Sequence, residues 1–179
     1  MLDVDKTCLV VVDVQGKLAQ RMVNKEVLFK NIRILIYAFN LLKVPILWCQ
    51  QSPDALGPTE ASIQEALGSC QPINKASFSC WPVPAFQARL GTLNRSQVVL
   101  CGIEAHVCVY QTAVDLLGHG RHVEVVADAV SSRTAENRAI ALERLRAEGM
   151  AVTSVEMLLF ELLRTAEHPQ FRDIARLIK

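Results

Sequence analysis

Short apolar runs without polar alternation, each followed by a helical pattern, constrain this chain more than any other feature. Thr7-Cys-Leu-Val-Val-Val12, Ile46-Leu-Trp-Cys49 and Val98-Val-Leu-Cys101 are β-rich and too short for helices. A strand with one wet face alternates polar and apolar residues, whereas a strand covered on both faces does not. His122-Val-Glu-Val-Val-Ala127 reads as a further strand, and Pro72-Ile-Asn-Lys75 and Met150-Ala-Val-Thr153 as two short ones. Between them, Glu26 to Leu42 carries Val27, Ile32, Leu35, Ile36, Phe39 and Leu42 at helical spacing. Helices are also expected over about 61–67, 84–90, 107–118, 134–148, 155–164 and 170–178. Alternating strands and helices imply a parallel sheet with helices on both faces. The expected architecture is therefore an α/β three-layer doubly wound sandwich with a six-stranded parallel sheet in the order 3-2-1-4-5-6.

Nothing divides the chain: no repeat, low-complexity tract or linker interrupts it, and a single domain over 1–179 is expected. Hydrophobic residues make up 51% and charged ones 21%, which excludes a disordered chain. A net charge of +1, with no basic stripe, removes the simplest reason to expect nucleic acid or a membrane surface as partner. The start, Met1-Leu-Asp-Val-Asp5, has no basic leader pattern, so a cytoplasmic location is expected. The six cysteines at 8, 49, 70, 80, 101 and 108 are then reduced thiols, and no Cys-x-x-Cys pair suggests zinc.

In the 3-2-1-4-5-6 order, strands 1 and 4 are neighbours, and the chain reverses direction between them. Ligands bind outside the carboxyl ends of the strands at such a switch point. Asp13 ends strand 1, and Gly102 to Cys108 follows strand 4, where a helix begins near Val107. A cysteine near a helix N-terminus faces free N–H groups and tends towards the reactive thiolate. Lys75, at the end of strand 3, lies on the same side of the sheet. A cysteine nucleophile needs a base and oxyanion donors. His106, two positions before Cys108, faces another way on a helix. Asp13 is the candidate base if burial raises its pKa, with Lys75 as its charge partner. Taken singly, each has a plainer explanation: a turn carboxylate, an exposed lysine, a small buried thiol.

Asp13-Val-Gln15, Asn74-Lys75-Ala-Ser-Phe78 and Gly102-Ile-Glu-Ala-His-Val-Cys-Val109, followed by Gln111-Thr-Ala113, resemble the isochorismatase-like cysteine hydrolases. Gly57-Pro-Thr59 and Asp128-Ala-Val-Ser-Ser-Arg133 fit the same group, so the resemblance covers nearly the whole chain. It implies an Asp–Lys–Cys triad at Asp13, Lys75 and Cys108. It implies a cis peptide between Ile103 and Glu104, and an oxyanion hole formed by the Glu104 and Cys108 N–H groups. It also implies a homo-oligomer, a dimer or tetramer. Nicotinamidase-like members bind a metal through an Asp-x-His…His cluster after strand 2. The corresponding Cys49-Gln-Gln-Ser-Pro-Asp54 offers no histidine, so neither metal nor cofactor is expected. True isochorismatases lack the cysteine that this chain keeps, and members with an intact triad hydrolyse amide-like C–N bonds of small molecules.

The resemblance thus implies a hydrolase that forms a Cys108 thioester, with Asp13 as general base and acid. Gln15, Phe78 and Trp81 are the candidates for substrate binding, although core packing explains the two aromatics equally well. Two other readings stand beside it. One is a catalytically silent binding or scaffold protein. The other is a thiol redox sensor built on Cys101 and Cys108, which are close in sequence.

Overall fold

The computed structural model describes residues 1–179. Its six strands are β1 (Thr7–Val12), β2 (Ile46–Gln51), β3 (Pro72–Lys75), β4 (Gln97–Ile103), β5 (His122–Ser131) and β6 (Ala151–Thr153). They form one sheet in the order 3-2-1-4-5-6, every neighbouring pair parallel. All six residues of β1 are buried, as the lack of polar alternation requires of a central strand covered on both faces.

Alternate residues of each strand serve opposite layers. In β4, Val99, Cys101 and Ile103 pack with α2 (Lys25–Leu41), α4 (Ala61–Leu67), α8 (Val155–Leu163) and α9 (Phe171–Leu177). Val98 and Leu100 face the other way, towards α5 (Pro84–Leu93), α6 (Tyr110–Gly118) and α7 (Ala135–Ala147). α2 shows how local sequence makes such a layer. Leu28, Ile32, Leu35, Ile36 and Phe39 recur every three to four residues, and all five are buried against the sheet. Burying side chains of this size stabilises by about 1.5–3 kcal/mol each. No helix is long and apolar enough to cross a membrane.

The strands run further than their apolar cores suggest. β4 continues through Gly102, which takes a φ of +120°. A Cβ there would sit 2.1 Å from the Val12 carbonyl oxygen, so only glycine lets β1 and β4 close up at their carboxyl ends. Pairing of β4 with β5 shifts register between Leu100 and Gly102, and β5 runs on to Ser131 instead of stopping at Ala127. β2 extends to Gln51. Two four-residue helices, α1 (Gly16–Ala19) and α3 (Pro53–Leu56), lie in stretches with no helical period long enough to read. The chain enters α6 through a π-helical turn over Ala105–Val109. The Ile103–Glu104 peptide is cis.

Candidate active site

The carboxyl ends of β1 and β4 lie side by side, with Val12 opposite Gly102. Asp13, the next residue after β1, has a φ of 51°, a left-handed conformation that a short polar side chain tolerates. Its N–H donates to the Cys49 carbonyl at 3.1 Å, which fixes the carboxyl over the strand ends. β3 is registered on β2 with Lys75 opposite Gln51, so Lys75 ends level with it. Lys75 Nζ lies 2.6 Å from Asp13 Oδ2, with side-chain exposures of 0% and 3%. The same ammonium donates to Gln51 Oε1 at 2.8 Å, the Phe78 carbonyl at 2.8 Å and the Ser77 carbonyl at 3.1 Å. Four oxygens around three protons leave Lys75 nothing further to donate.

Cys108 stands in the π-helical turn, 8% exposed, and shares with Asp13 a cavity of about 210 Å³. Its thiol is within hydrogen-bonding reach of the Asp13 carboxyl. Apart from Lys75 and the Cys108 thiol, no protein group donates to either oxygen of that carboxyl. The contact with Lys75, at 2.6 Å, is a short charge-assisted ion pair that the lysine shares with three other oxygens. A buried acceptor with so few donors costs free energy and is poised to take a proton.

The ionisations follow from burial and charge. Burial pushes the Asp13 carboxyl above its ordinary value of 3.8, while Lys75 and the Cys108 thiol draw it partly back. Burial works against the charged form of Lys75, but Asp13 foremost, with the Cys80 and Cys108 thiols, outweighs it and raises the ammonium above 10.5. Burial and then the charge of Asp13 push the Cys108 thiol up to about 12. This corrects the expectation of a thiolate favoured by a helix N-terminus. The sulfur sits inside a turn beside a carboxylate, not on a bare helix end, so it rests as a thiol. A thiol in this state acts as a nucleophile only once a base takes its proton.

Glu104 follows β4 and forms the cavity's far wall. Its Oε1 accepts from both the backbone N–H of Arg133 at 3.1 Å and the Arg133 Nε at 2.9 Å. Among the backbone hydrogen bonds outside the regular elements, none is donated by the N–H of Glu104 or of Cys108. Phe78 lines the cavity and is 55% exposed at its mouth. Leu18 from α1, Leu56 from α3, Ile103 and Val107 complete an apolar wall, with Gln51 as the neutral polar member.

The structure therefore brings Asp13, Lys75, Glu104, Cys108 and Phe78 together. Gln15 and Trp81 do not line the cavity. Gln15 is fully buried, its Nε2 donating to the Gln51 and Gly57 carbonyls at 3.1 and 2.9 Å and its Oε1 accepting the Gln51 N–H at 2.6 Å. Every polar atom of the side chain is used to brace the segment that carries Gln51. Trp81 stacks on His119 instead, ring centroids 4.1 Å apart. Nor does the structure bring Cys101 to Cys108. Cys101 faces the opposite core layer and contacts the Val10 carbonyl, so the sheet separates the two thiols. All six cysteines are free, and no group of three or more His, Cys, Asp or Glu is arranged to hold a metal ion. Gln51, Leu18, Leu56 and Arg133 were not singled out from the sequence. For Gln51 a signal existed, since it lies at the carboxyl end of strand 2 beside the switch point. Leu18 and Leu56 stand in helices too short to have one.

Fold and site together define a doubly wound α/β protein with an acid, an amine and a thiol converging at the switch point. The isochorismatase domain model matches residues 7–157, and the chain belongs to that family. Isochorismatase domain-containing protein 2A of Mus musculus is 44% identical over 140 residues, which cover 78% of this chain and 66% of the mouse protein. The structure of the MAR1 ribonuclease of Caenorhabditis elegans superposes with a TM-score of 0.93 at 35% identity, over 99% of this chain and 91% of that one. YcaC of Escherichia coli, described as an octameric hydrolase of unknown specificity, shares the fold at a TM-score of 0.88 and 19% identity, over 99% and 94% of the two chains.

Proposed function

We propose that this protein is a cysteine hydrolase that cleaves an amide-like C–N bond in a small molecule. One observation carries the reading. Asp13 holds a buried carboxylate that meets no donor other than Lys75, at 2.6 Å, and the Cys108 thiol, with which it shares one cavity. Asp13 takes the thiol proton as the sulfur attacks the substrate carbonyl carbon. The N–H groups of Glu104 and Cys108 receive the oxyanion, a contribution of ~2.7–4 kcal/mol per donor in measured oxyanion holes. The tetrahedral intermediate collapses, the C–N bond breaks, and Asp13 gives its proton to the leaving amine. Water, deprotonated by Asp13, then attacks the thioester and frees the acid and the thiol. Lys75 touches no substrate in this scheme; it holds the charge of Asp13 in place.

The partner is a small-molecule substrate, and the protein works as a homo-oligomer, as its octameric structural relative does. The ribonuclease name of the worm relative is a competing activity. A basic surface supports such an activity, and this chain carries a net charge of only +1. The deciding experiment is a screen of small amides, ureides and esters alongside an RNA substrate, with intact-mass detection of an acyl-enzyme. The expected result is turnover of an amide with an adduct on Cys108, both lost in Cys108→Ala. Amide turnover that survives Cys108→Ala, or RNA cleavage without amide cleavage, refutes the reading.

A further inference from the structure

The residues lining the cavity include two carboxylates and no cation, and each carboxylate is paired with a cation behind the wall. Asp13 and Glu104 supply carboxyls, Gln51 is neutral, and the remainder is dominated by apolar groups such as Leu18, Leu56 and Phe78. No lysine, arginine or histidine side chain lines it. Two cations stand behind the wall, each paired with one of its carboxylates. Lys75 Nζ is enclosed by four oxygens and has no exposed surface. Arg133 turns its Nε onto Glu104 Oε1 and stays outside the wall.

A ligand carboxylate or phosphate entering here would lose its water, and the two cations nearest the wall are already paired with Asp13 and Glu104. The only donors left are the two N–H groups that a scissile carbonyl would occupy. Each wall carboxylate is balanced by its own partner cation, so the anion's main cost is desolvation without a free cation to receive it. Glu104 has a second oxygen, Oε2, to which no protein group donates. That oxygen is an acceptor for a ligand N–H. The volume, about 210 Å³, lies below the usual range of pockets for drug-sized ligands.

We infer that this cavity selects compact, uncharged acyl groups bearing an N–H donor and rejects carboxylates and phosphates of the same size. The inference deepens the hydrolase reading and rests on it for Cys108 as the reacting group. It places the substrate among neutral amides, not among amides of dicarboxylic acids.

Iodoacetamide and iodoacetate test it, because they match in size and differ in charge. With either reagent the sulfur forms a bond to the α-carbon, iodide leaves with the C–I electron pair, and the thiol proton passes to Asp13 and on to water. Labelling of Cys108 is followed near neutral pH by peptide mass spectrometry. The amide-to-acid rate ratio is divided by that of free 2-mercaptoethanol, which removes the reagents' intrinsic difference. The normalised ratio is expected to exceed unity by about tenfold or more. Phe78→Lys, at the exposed mouth, is expected to bring the ratio down towards that of the free thiol. A normalised ratio near or below one, with Cys108 labelled readily, overturns the inference and leaves the hydrolase reading standing. Iodoacetate labelling that Phe78→Lys does not raise also counts against it. A Cys108 that resists iodoacetamide while the half-buried Cys70 is labelled overturns both.

Discussion

Two aspartates in this chain look alike in sequence and do opposite things in the fold. Val10-Val-Val-Asp13 and Val125-Val-Ala-Asp128 are both apolar runs that close on a carboxylate. Asp128 sits where β5 shifts register against β4. Its Oδ1 accepts the N–H of Val155 at 2.9 Å, in the first turn of α8, and its carbonyl accepts from Asn31 Nδ2 of α2 at 2.8 Å. It bolts two helices to the sheet. Asp13 makes no such bond. Its carboxyl meets the Lys75 ammonium at 2.6 Å and an open cavity in place of backbone donors. The difference lies in what meets the oxygens, not in the strand or the residue type. A half-buried carboxylate tied to the backbone N–H of a helix start is architecture, and a buried one beside a thiol and an open cavity is available for proton transfer.

The largest effects should separate the two. Asp13→Asn removes the base but keeps the shape and the left-handed backbone, since asparagine also tolerates positive φ. Amide turnover should fall by about 10²–10⁴-fold, the usual contribution of a positioned base. Circular dichroism should still report a folded protein, because Lys75 retains Gln51 Oε1 and two carbonyls. Asp128→Asn should leave turnover within about twofold, in keeping with a role confined to packing. Equal losses in kcat/KM for the two variants would erase the distinction.

Lys75→Met comes next. It strands the Asp13 charge in the interior, and breaking one side of a buried pair costs about 3–5 kcal/mol, readable as a lower urea midpoint. Its pH dependence sharpens the point. The proposed mechanism requires ionised Asp13, so activity should be lost on acidification through a pKa that burial places above 3.8. Lys75 draws that pKa down, so in Lys75→Met the acid limb of kcat/KM should move to higher pH. Stability responds in the opposite sense. A carboxyl with a raised folded pKa is most favourable to folding while protonated, so the deficit of the variant should shrink as pH falls. A limb that stays put would mean that Asp13 is not the titrating base.

The sheet was legible because its signals are local and repeated. Runs such as Thr7–Val12 and the helical period of α2 each announce their element, and short right-handed connections leave few orders in which to arrange them. The switch-point rule then placed Asp13, Lys75 and Cys108 at one end of the sheet before any distance was known. What stayed hidden depends on contacts made after folding. Gln15 is a polar residue that the fold consumes internally. Whether a glutamine spends its amide on Gln51 and Gly57 or on a ligand is decided by segments some forty residues away. The resting state of Cys108 was hidden for the same reason. A helix N-terminus favours the thiolate, but burial beside Asp13 outweighs it, and burial is a property of the packed molecule. Gly102, legible as a break, proved to be a continuation, because the approach of Val12 requires a residue without a Cβ.

The smallest effect belongs to Asp128 itself and tests the comparison from its structural side. Asp128→Ala removes the acceptor of the Val155 N–H and leaves that donor at the start of α8 without its carboxylate. Ser154 still caps the helix, its hydroxyl accepting from the Met157 N–H at 3.2 Å, so the turn keeps one of its two side-chain acceptors. The loss should therefore fall within the range of a single cap, about 0.5–2 kcal/mol, and appear as a modest drop in Tm. α8 supplies Leu158, Leu159 and Leu162 to the core layer that does not hold Cys108, so the cavity should not notice. Cys108 alkylation rates and kcat/KM should match the parent at temperatures where both are folded. A selective fall in either, with stability preserved, would show that the carboxylate on β5 communicates with the site, and the two aspartates would no longer divide into a bolt and a base.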